Sequence, residues 1–427
     1  MAIGISATHG ESRFGNLRPP SSGGPFALVA ECQRDPKPQK VDLIIGAYRD
    51  DNGRPWQLKA VTEAYSQAKR RIDIESEDHE YLPLRGDPDF LHSAQLLVFG
   101  DTVIKQYGNS IASIQTVSGT GANSLIAAFL QRHTCPTNIW LPNPTWTNHI
   151  DIWRENAPEV QVKWYSYYDN LTRALDFHGM ITELERNAQE NDAILLHACA
   201  HNPTGMDPSA DQWQEIARLC QTKKLFVIFD LAYQGFASGD LDHDAWAVRH
   251  FCTIPGIELA VCQSFSKNLG LYGERTGALH IVVSRRTSMP HTAAVENHLV
   301  DLHRAMVSMA PRFGSRIATE ILASQYLQQL WNSDLSIMSG RIKAMRRALY
   351  EELARLQTPG SWRHILEQTG MFSYTGLSRA EVAMLKEEYH VYLLPTGRAS
   401  ICGLTTRNVR YTAEAIHEVV TRNRSCS

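Results

Sequence analysis

Ile257-Glu258-Leu259-Ala260-Val261-Cys262 precedes Ser264-Phe265-Ser266-Lys267-Asn268-Leu269-Gly270-Leu271-Tyr272-Gly273-Glu274-Arg275, an apolar segment followed by a polar cluster. The apolar run predicts a buried strand that ends just before the cluster. A lysine there can be held out of bulk water, where its amine is easily neutralised and becomes a nucleophile. Arg275, eight residues beyond Lys267, offers a fixed cation whose fork suits a phosphate. Two hydroxyls, a lysine and an arginine at the mouth of a strand suggest a phosphorylated carbonyl cofactor bound as a Schiff base. A lysine capping a surface turn would leave the same short pattern.

Upstream of Lys267, strands and helices alternate. Leu225 to Phe229 is a continuous apolar run that ends in Asp230, with Tyr233 three residues on. In an α/β protein an acid at a strand's carboxyl end stands where ligands bind, although it also suits a helix cap. Ile194 to Leu196 predicts another strand, opening into His197-Ala198-Cys199-Ala200-His201-Asn202-Pro203-Thr204-Gly205. Asp207 is then expected to cap a helix whose first residue is Pro208. Ile139 to Leu141 leads to Pro142-Asn143-Pro144-Thr145-Trp146-Thr147-Asn148-His149, where Trp146 read alone suits the core better than a ligand platform. Ile114 to Val117 predicts a strand before Ser118-Gly119-Thr120-Gly121-Ala122-Asn123 and a helix over Ser124 to Arg132. A small-residue turn feeding a helix start presents free N–H groups, a ready anion site. The dinucleotide fingerprint is incomplete, since Ser124 stands where its third glycine belongs.

The flanks differ. Residues 1–25 are rich in Gly, Ser and Pro and read as an arm with little to bury. Phe26 to Cys32 begins a short helix, and Val41 to Ile45 is a short strand running into Gly46-Ala47-Tyr48-Arg49-Asp50. Leu58 to Ile72 has helical spacing, and Glu80-Tyr81-Leu82-Pro83-Leu84-Arg85-Gly86 reads as an ordered loop. Ala278 to Val283 is the strand after the Lys267 cluster. Beyond Arg312 the chain turns helical, with a long amphipathic helix over Leu335 to Leu356 as a bridge between domains. Ser378-Arg379-Ala380-Glu381 is a capping box, Gly397 to Ile401 is a short strand carrying Arg398, and Thr412 to Arg422 closes as a helix. The pattern predicts a large, mostly parallel α/β domain with a smaller α+β domain built from both chain ends.

With 427 residues there is room for two or three domains. A net charge of −3 gives no electrostatic case for nucleic acid or a membrane surface, and no apolar run approaches a membrane span. Eight cysteines without CxxC pairs suit a reducing compartment. The N-terminal segment lacks a secretory apolar core, so cytosol is the expected location.

Taken together the motifs resemble aspartate aminotransferase, a class I pyridoxal-phosphate-dependent aminotransferase of the type I PLP-transferase fold. They are Gly46-Ala47-Tyr48-Arg49-Asp50, Glu80-Tyr81-Leu82-Pro83, Ser118-Gly119-Thr120-Gly121, Pro144-Thr145-Trp146 and His201-Asn202-Pro203-Thr204-Gly205. Asp230, Ala232-Tyr233-Gln234-Gly235-Phe236, Ser264 to Arg275 and Gly403-Leu404-Thr405-Thr406 continue them. The resemblance covers residues 26 to 425 and implies a seven-stranded sheet within residues 58–320, with the small domain from residues 26–57 and 321–427. It implies Lys267 as the Schiff-base lysine and proton carrier. Asp230 would pair with the pyridine nitrogen, supported by His149, while Asn202 and Tyr233 bond the 3-oxygen and Trp146 stacks on the ring. The phosphate would take Arg275, Ser264, Ser266 and the Ser118-Gly119-Thr120 turn, with Tyr81 reaching in from a partner subunit. For substrate, Arg398 would grip the α-carboxylate beside Gly46, Trp146 and Asn202, and Arg304 would cross a homodimer interface to a distal carboxylate. No metal is implied. The expected ligands are small amino and oxo acids, L-aspartate and 2-oxoglutarate above all, handled in ping-pong half-reactions.

The chain also departs from that family. Ser308-Met309-Ala310-Pro311-Arg312-Phe313 stands where Ser-Asn-Pro-Pro is usual, Thr147 follows the tryptophan, and Ala27 replaces a glycine. These changes lie toward the expected substrate mouth and leave the cofactor set intact. Competing readings are a paralogue with altered substrate or reaction, including a lyase, a non-catalytic binding homologue, and a dinucleotide-dependent oxidoreductase. Retention of Lys267, Asp230 and Arg275 disfavours the binding homologue, and the incomplete glycine fingerprint disfavours the oxidoreductase.

Overall fold

Seven strands form one sheet: β1 (Ile111–Val117), β2 (Asn138–Asn143), β3 (Gln161–Ser166), β4 (Ala193–His197), β5 (Phe226–Leu231), β6 (Leu259–Ser264) and β7 (Thr276–Val282). Their spatial order is β1-β7-β6-β5-β4-β2-β3. Only β7 runs against its neighbours, β1 and β6, and every other pairing is parallel. The structure, a computed structural model, describes residue 14 and residues 24–75, 80–284 and 290–425. Most of the expected arm lies outside the described residues; residues 24–25 already belong to the first helix.

The central strands are apolar on both faces because both faces are covered. Alternate residues of one strand feed opposite layers: Val261 joins the core that holds Phe229 and Trp213, while Ala260 and Cys262 face Leu125, Ile126 and Leu299. That second layer is made by helices α2 (Ser118–His133) and α4 (Pro290–Val307) with the intervening α3 (Asn148–Asn156), α1 being Gly24–Arg34 at the start of the chain. The smaller α+β part is built from short two-stranded pieces. Val41–Asp42 pairs in parallel with Val391–Tyr392, and Phe372–Tyr374 pairs antiparallel with Arg398–Ser400. The seven-stranded, mostly parallel sheet and the α+β addition are as the sequence implies.

Helix α5 (Gln325–Arg355) is 31 residues long, about 46 Å at 1.5 Å per residue. It starts ten residues before the predicted span. Ser324 caps it, accepting from the Leu327 N–H. Its N-terminal half touches the large domain, Trp331 Nε1 donating to the Asn268 carbonyl at 2.8 Å and Asp334 accepting from the Ala60 N–H at 3.0 Å. Further along, Arg341 donates to the Leu404 carbonyl and Arg346 enters the small part. The Ser378–Glu381 capping box is present, with Ser378 Oγ accepting from the Glu381 N–H.

Two expectations need correction. The Ser118–Asn123 turn does not precede a helix: it is the first turn and a half of α2, which begins at Ser118. Asp207 caps nothing. The helix after it runs Ala210–Lys223 and is capped by Ser209, whose hydroxyl accepts from the Gln212 N–H in a full capping box. A serine with glutamine three residues on displaced the Asp-Pro signal, leaving Asp207 to turn inward and accept from the Ala200 and His201 N–H groups at 2.7 and 2.9 Å.

Candidate active site

The carboxyl ends of β4, β5 and β6 bring His197, Asp230 and Ser264 to one edge of the sheet, and His197 and Asp230 are register partners. This edge opens into a cavity of about 720 Å³. Among the residues predicted from sequence, Gly46, Ser118, Gly119, Thr120, Trp146, Asn202, Asp230, Tyr233, Ser264, Ser266, Lys267, Arg275 and Arg398 all line it. Trp146 does so while also packing on the core. A larger groove of about 1100 Å³, bordered by Gly100, Trp246 and His250, contains none of them.

One end of the cavity is an anion cradle. Ser118 Oγ lies 3.0 Å from Ser264 Oγ and 2.9 Å from Ser266 Oγ, and Arg275 Nη1 donates to Ser266 Oγ at 3.3 Å. The N-terminus of α2 has no side-chain cap, so its N–H groups point there unclaimed by one. Gly119 has no Cβ to fill the cradle; one would stand 3.1 Å from Ser264 Cβ. Three hydroxyls, a guanidinium and a 16-residue helix start suit a phosphate dianion.

Lys267 sits next to this cradle, with Nζ 5.5 Å from the centre of the Tyr233 ring. Burial, helped by the positive charges of Arg275 and Arg398, lowers its pKa, against the pull of Asp230. Its amine is thus more readily neutral than a surface lysine's. Burial alone would raise the Asp230 carboxyl, but the hydrogen bond from His149 and the neighbouring His149, His197 and Lys267 side chains outweigh it and hold the group below its usual range. A carboxylate kept ionised in the interior is what a protonated ring nitrogen needs opposite it.

Behind Asp230 lies a relay whose polarity is set by the backbone. The Asn202 N–H donates to His197 Nδ1 at 3.0 Å, so that nitrogen carries no proton. Burial lowers the His197 pKa to about 3, so the ring is neutral and its proton is on Nε2, 3.3 Å from Thr145 Oγ. The Thr145 hydroxyl then gives its own proton to His149 Nδ1 at 2.9 Å, leaving His149 Nε2–H to donate to Asp230 Oδ2 at 3.0 Å. His201, fully buried, stacks on Tyr167 at 3.8 Å and lies 4.2 Å from the His197 ring.

At the opposite wall, Arg398 is held by the Ile44 carbonyl (2.8 Å) and Asn202 Oδ1 (3.4 Å), and its guanidinium lies 4.2 Å over the Phe372 ring. Its Nε is buried without a partner, and the residue lines the cavity. Gly46 is required beside it, because a Cβ would fall 2.5 Å from Phe372 Cζ. Tyr81 and Arg304, by contrast, are exposed on the surface of this chain and do not line the cavity. The lining also takes Thr147, Asn148 and Asp151 from the start of α3, together with Pro25, Phe26 and Ile45. Among the described residues, the Lys and Arg side chains that line the cavity are Lys267, Arg275 and Arg398.

Sequence reasoning missed Phe372, Thr145, His197 and Asp151. His197 could have been flagged by the strand-end argument that found Asp230. Phe372 carries no local signal, since its role comes from pairing Phe372–Tyr374 with Arg398–Ser400.

The profile of the aminotransferase class I and II family matches residues 38–416. An L-tyrosine:2-oxoglutarate aminotransferase of Aspergillus ustus is 48% identical over 399 residues, 92% of this chain and 75% of that protein. The cytoplasmic aspartate aminotransferase of Schizosaccharomyces pombe is 42% identical over 95% of this chain and 98% of its own length. The solved structure of the cytoplasmic aspartate aminotransferase of Saccharomyces cerevisiae superposes with a TM-score of 0.91 at 39% identity, covering 96% and 99% of the two chains. This chain belongs to the class I and II aminotransferases and is a pyridoxal-phosphate-dependent enzyme of that family.

Proposed function

We propose that this class I aminotransferase moves an amino group between L-aspartate, or a similar dicarboxylic amino acid, and 2-oxoglutarate in alternating half-reactions. The observation that carries the amino-acid reading is that Arg398, a guanidinium fork suited to an α-carboxylate, lines the same cavity as Lys267. Ser118, Gly119, Thr120, Ser264, Ser266 and Arg275 hold the cofactor phosphate, with Tyr81 of a second copy. Asp230 pairs with the ring nitrogen, His149 supports it, Asn202 and Tyr233 bond the 3-oxygen, and Trp146 covers the ring. When bound, the cofactor takes up the electron pair left as the substrate Cα–H bond breaks. Lys267, lowered in pKa by its surroundings, is the base that receives that proton. Arg398 fixes which Cα bond faces it. In a homodimer, Arg304 of the second copy brings to the far end the cation this chain's own lining lacks.

A second reading, an aromatic donor such as L-tyrosine, is supported by the lining that the start of α3 contributes. Thr147, Asn148 and Asp151 offer a hydroxyl, an amide and a carboxylate, partners for a phenol more than for a second carboxylate. The tyrosine:2-oxoglutarate aminotransferase relative points the same way. A half-reaction screen of amino donors, with products identified, tests both. Formation of the 2-oxo acid from aspartate well above tyrosine supports the first reading and the reverse order the second. Release of carbon dioxide or an eliminated product, in place of a 2-oxo acid, would remove both.

A further inference from the structure

Arg346 is 2% exposed and lies in the C-terminal half of α5. Its guanidinium donates to the carbonyls of Ile365 (3.4 Å), Thr369 (3.2 Å), Gly370 (2.8 Å) and Phe372, and to Gln368 Oε1 at 3.5 Å. None of these acceptors is a carboxylate. The matching anion is one residue removed. Asp207 Oδ2 accepts from Thr369 Oγ at 2.9 Å, and its two oxygens also take the Ala200 and His201 N–H groups. Thr369 is thus strung between a buried cation at its carbonyl and a carboxylate at its hydroxyl, while its N–H donates to the Gly205 carbonyl at 2.6 Å. The two segments meet backbone to backbone: a Cβ on Gly370 would fall 2.4 Å from Ala200 Cβ, and one on Gly205 would fall 2.9 Å from the Thr369 carbonyl.

Each segment carries one of the groups that touch Arg398. The segment at 365–372 presents Phe372, whose ring lies under the guanidinium, and the segment at 198–207 presents Asn202, whose Oδ1 accepts from Nη1. We propose that Arg346 and Asp207 are positioning residues: their charges, bridged through Thr369, clamp these two segments together and so aim Arg398 at the substrate α-carboxylate. Neutral packing would leave either segment free to slide along the other; a fan of bonds from one guanidinium fixes five acceptors between residues 365 and 372 at once. Burial pushes the Arg346 pKa down to about 10, still far above neutrality, so the cation persists at working pH.

The inference rests on Arg398 as the α-carboxylate ligand. Its test compares an amino acid with the amine that lacks only the α-carboxylate, each in single-turnover half-reactions of the holoenzyme. Arg346→Gln should raise KM for amino donors and for oxo-acid acceptors alike by about tenfold, with kcat changed by less than about twofold. The amine rate should hardly move, so the amino-acid-to-amine ratio falls about tenfold. Arg346→Lys, which keeps the charge and loses the fan, should lie between. Thr369→Val, which keeps both charges and cuts the bridge, should shift the ratio about threefold in the same direction. Parallel losses for amino acid and amine, or an unchanged ratio, would overturn the proposal. If Arg346→Gln yields no soluble holoenzyme, Thr369→Val decides it: an unmoved ratio there is also fatal. Arg398→Lys separates the two layers of argument. A native ratio in that variant means the α-carboxylate reading has failed and the positioning role with it, whereas a lowered ratio there with a native ratio in Arg346→Gln means the positioning role alone has failed.

Discussion

The two ends of the cavity are built on different terms. At the cofactor end every predicted side chain except Tyr81 comes from this one chain, held by strand ends, a helix start and a chain of hydrogen bonds behind Asp230. At the proposed substrate end Arg398 is likewise held within this chain, but the lining from the start of α3 offers an amide, a hydroxyl and a carboxylate, and the expected cation, Arg304, is exposed. The lesson is that this chain's own residues gather the groups for the cofactor chemistry, while the choice of substrate side chain, on the function proposed above, depends on a residue outside this chain's own cavity lining. Mutations at the cofactor end should therefore affect all substrates alike, and mutations at the far end should reorder them.

The largest effect tests the first half of that statement. Lys267→Ala should abolish the lysine-linked visible absorbance and reduce every half-reaction by at least about 10⁴-fold, without preference among donors. Absorption spectra and single-turnover rates read both; unchanged lysine-linked absorbance would break the assignment of this end. The second half is tested by Arg304→Asp, which should weaken aspartate use by about 100-fold while an uncharged donor loses little, since a desolvated charge pair would become a repulsion. Equal losses would remove Arg304 from the site. Mixing this variant with Lys267→Ala sharpens the point. If Arg304 acts across a dimer, hybrids contain one fully native site, and about a quarter of native aspartate activity should return.

A smaller effect separates the ends by pH. His197 and His201 are buried behind the cofactor, and burial lowers both pKa values, His197 to about 3. An unfolded histidine titrates near 6.5, so between about 6.5 and 3 the unfolded chain binds more protons and stability falls as pH falls. His201→Gln should flatten the slope of unfolding free energy against pH by about 1.4 kcal/mol per unit below pH 6.5. Denaturant titrations between pH 4.5 and 6.5 read it. A residual slope is expected, because His280 and His364 are also lowered by burial, to about 3 and 4.

The same division marks what the sequence made legible. Strands ending in Asp230 or before Ser264, and the small residues at Ser118, carry their meaning locally, because a parallel sheet gathers strand ends whatever else the chain does. Asp207 was misread because an Asp-Pro pair and a Ser-x-x-Gln box compete within five residues, and only packing against Thr369 decides between them. Phe372 and Arg346 were invisible for a related reason: each acts on a segment some 19 to 26 residues further along that only the tertiary fold brings to it, and a buried arginine bonded only to carbonyl oxygens leaves no pattern in the residues around it. Nothing in the spacing of Thr147, Asn148 and Asp151 announces a place in the cavity lining either, since a short helix start with polar residues usually faces water.

The smallest effect lies where the cofactor end is most finely set. Thr145→Val is nearly isosteric but removes the hydroxyl that receives the His197 proton and donates to His149. His149 Nδ1 then has no donor, and nothing in the relay keeps the ring proton on the nitrogen that faces Asp230. The ring can turn an unprotonated nitrogen to the carboxylate, and the carboxylate loses the hydrogen bond that most offsets its burial. We expect about a fivefold loss in kcat/KM for every donor, with donor order unchanged. Thr145→Ser keeps the hydroxyl and should recover most of it. If serine fails to rescue, the lost methyl packing is the cause and the relay carries no weight; if valine reorders donors, the cofactor end is not independent of the far end, and the division between the two ends fails.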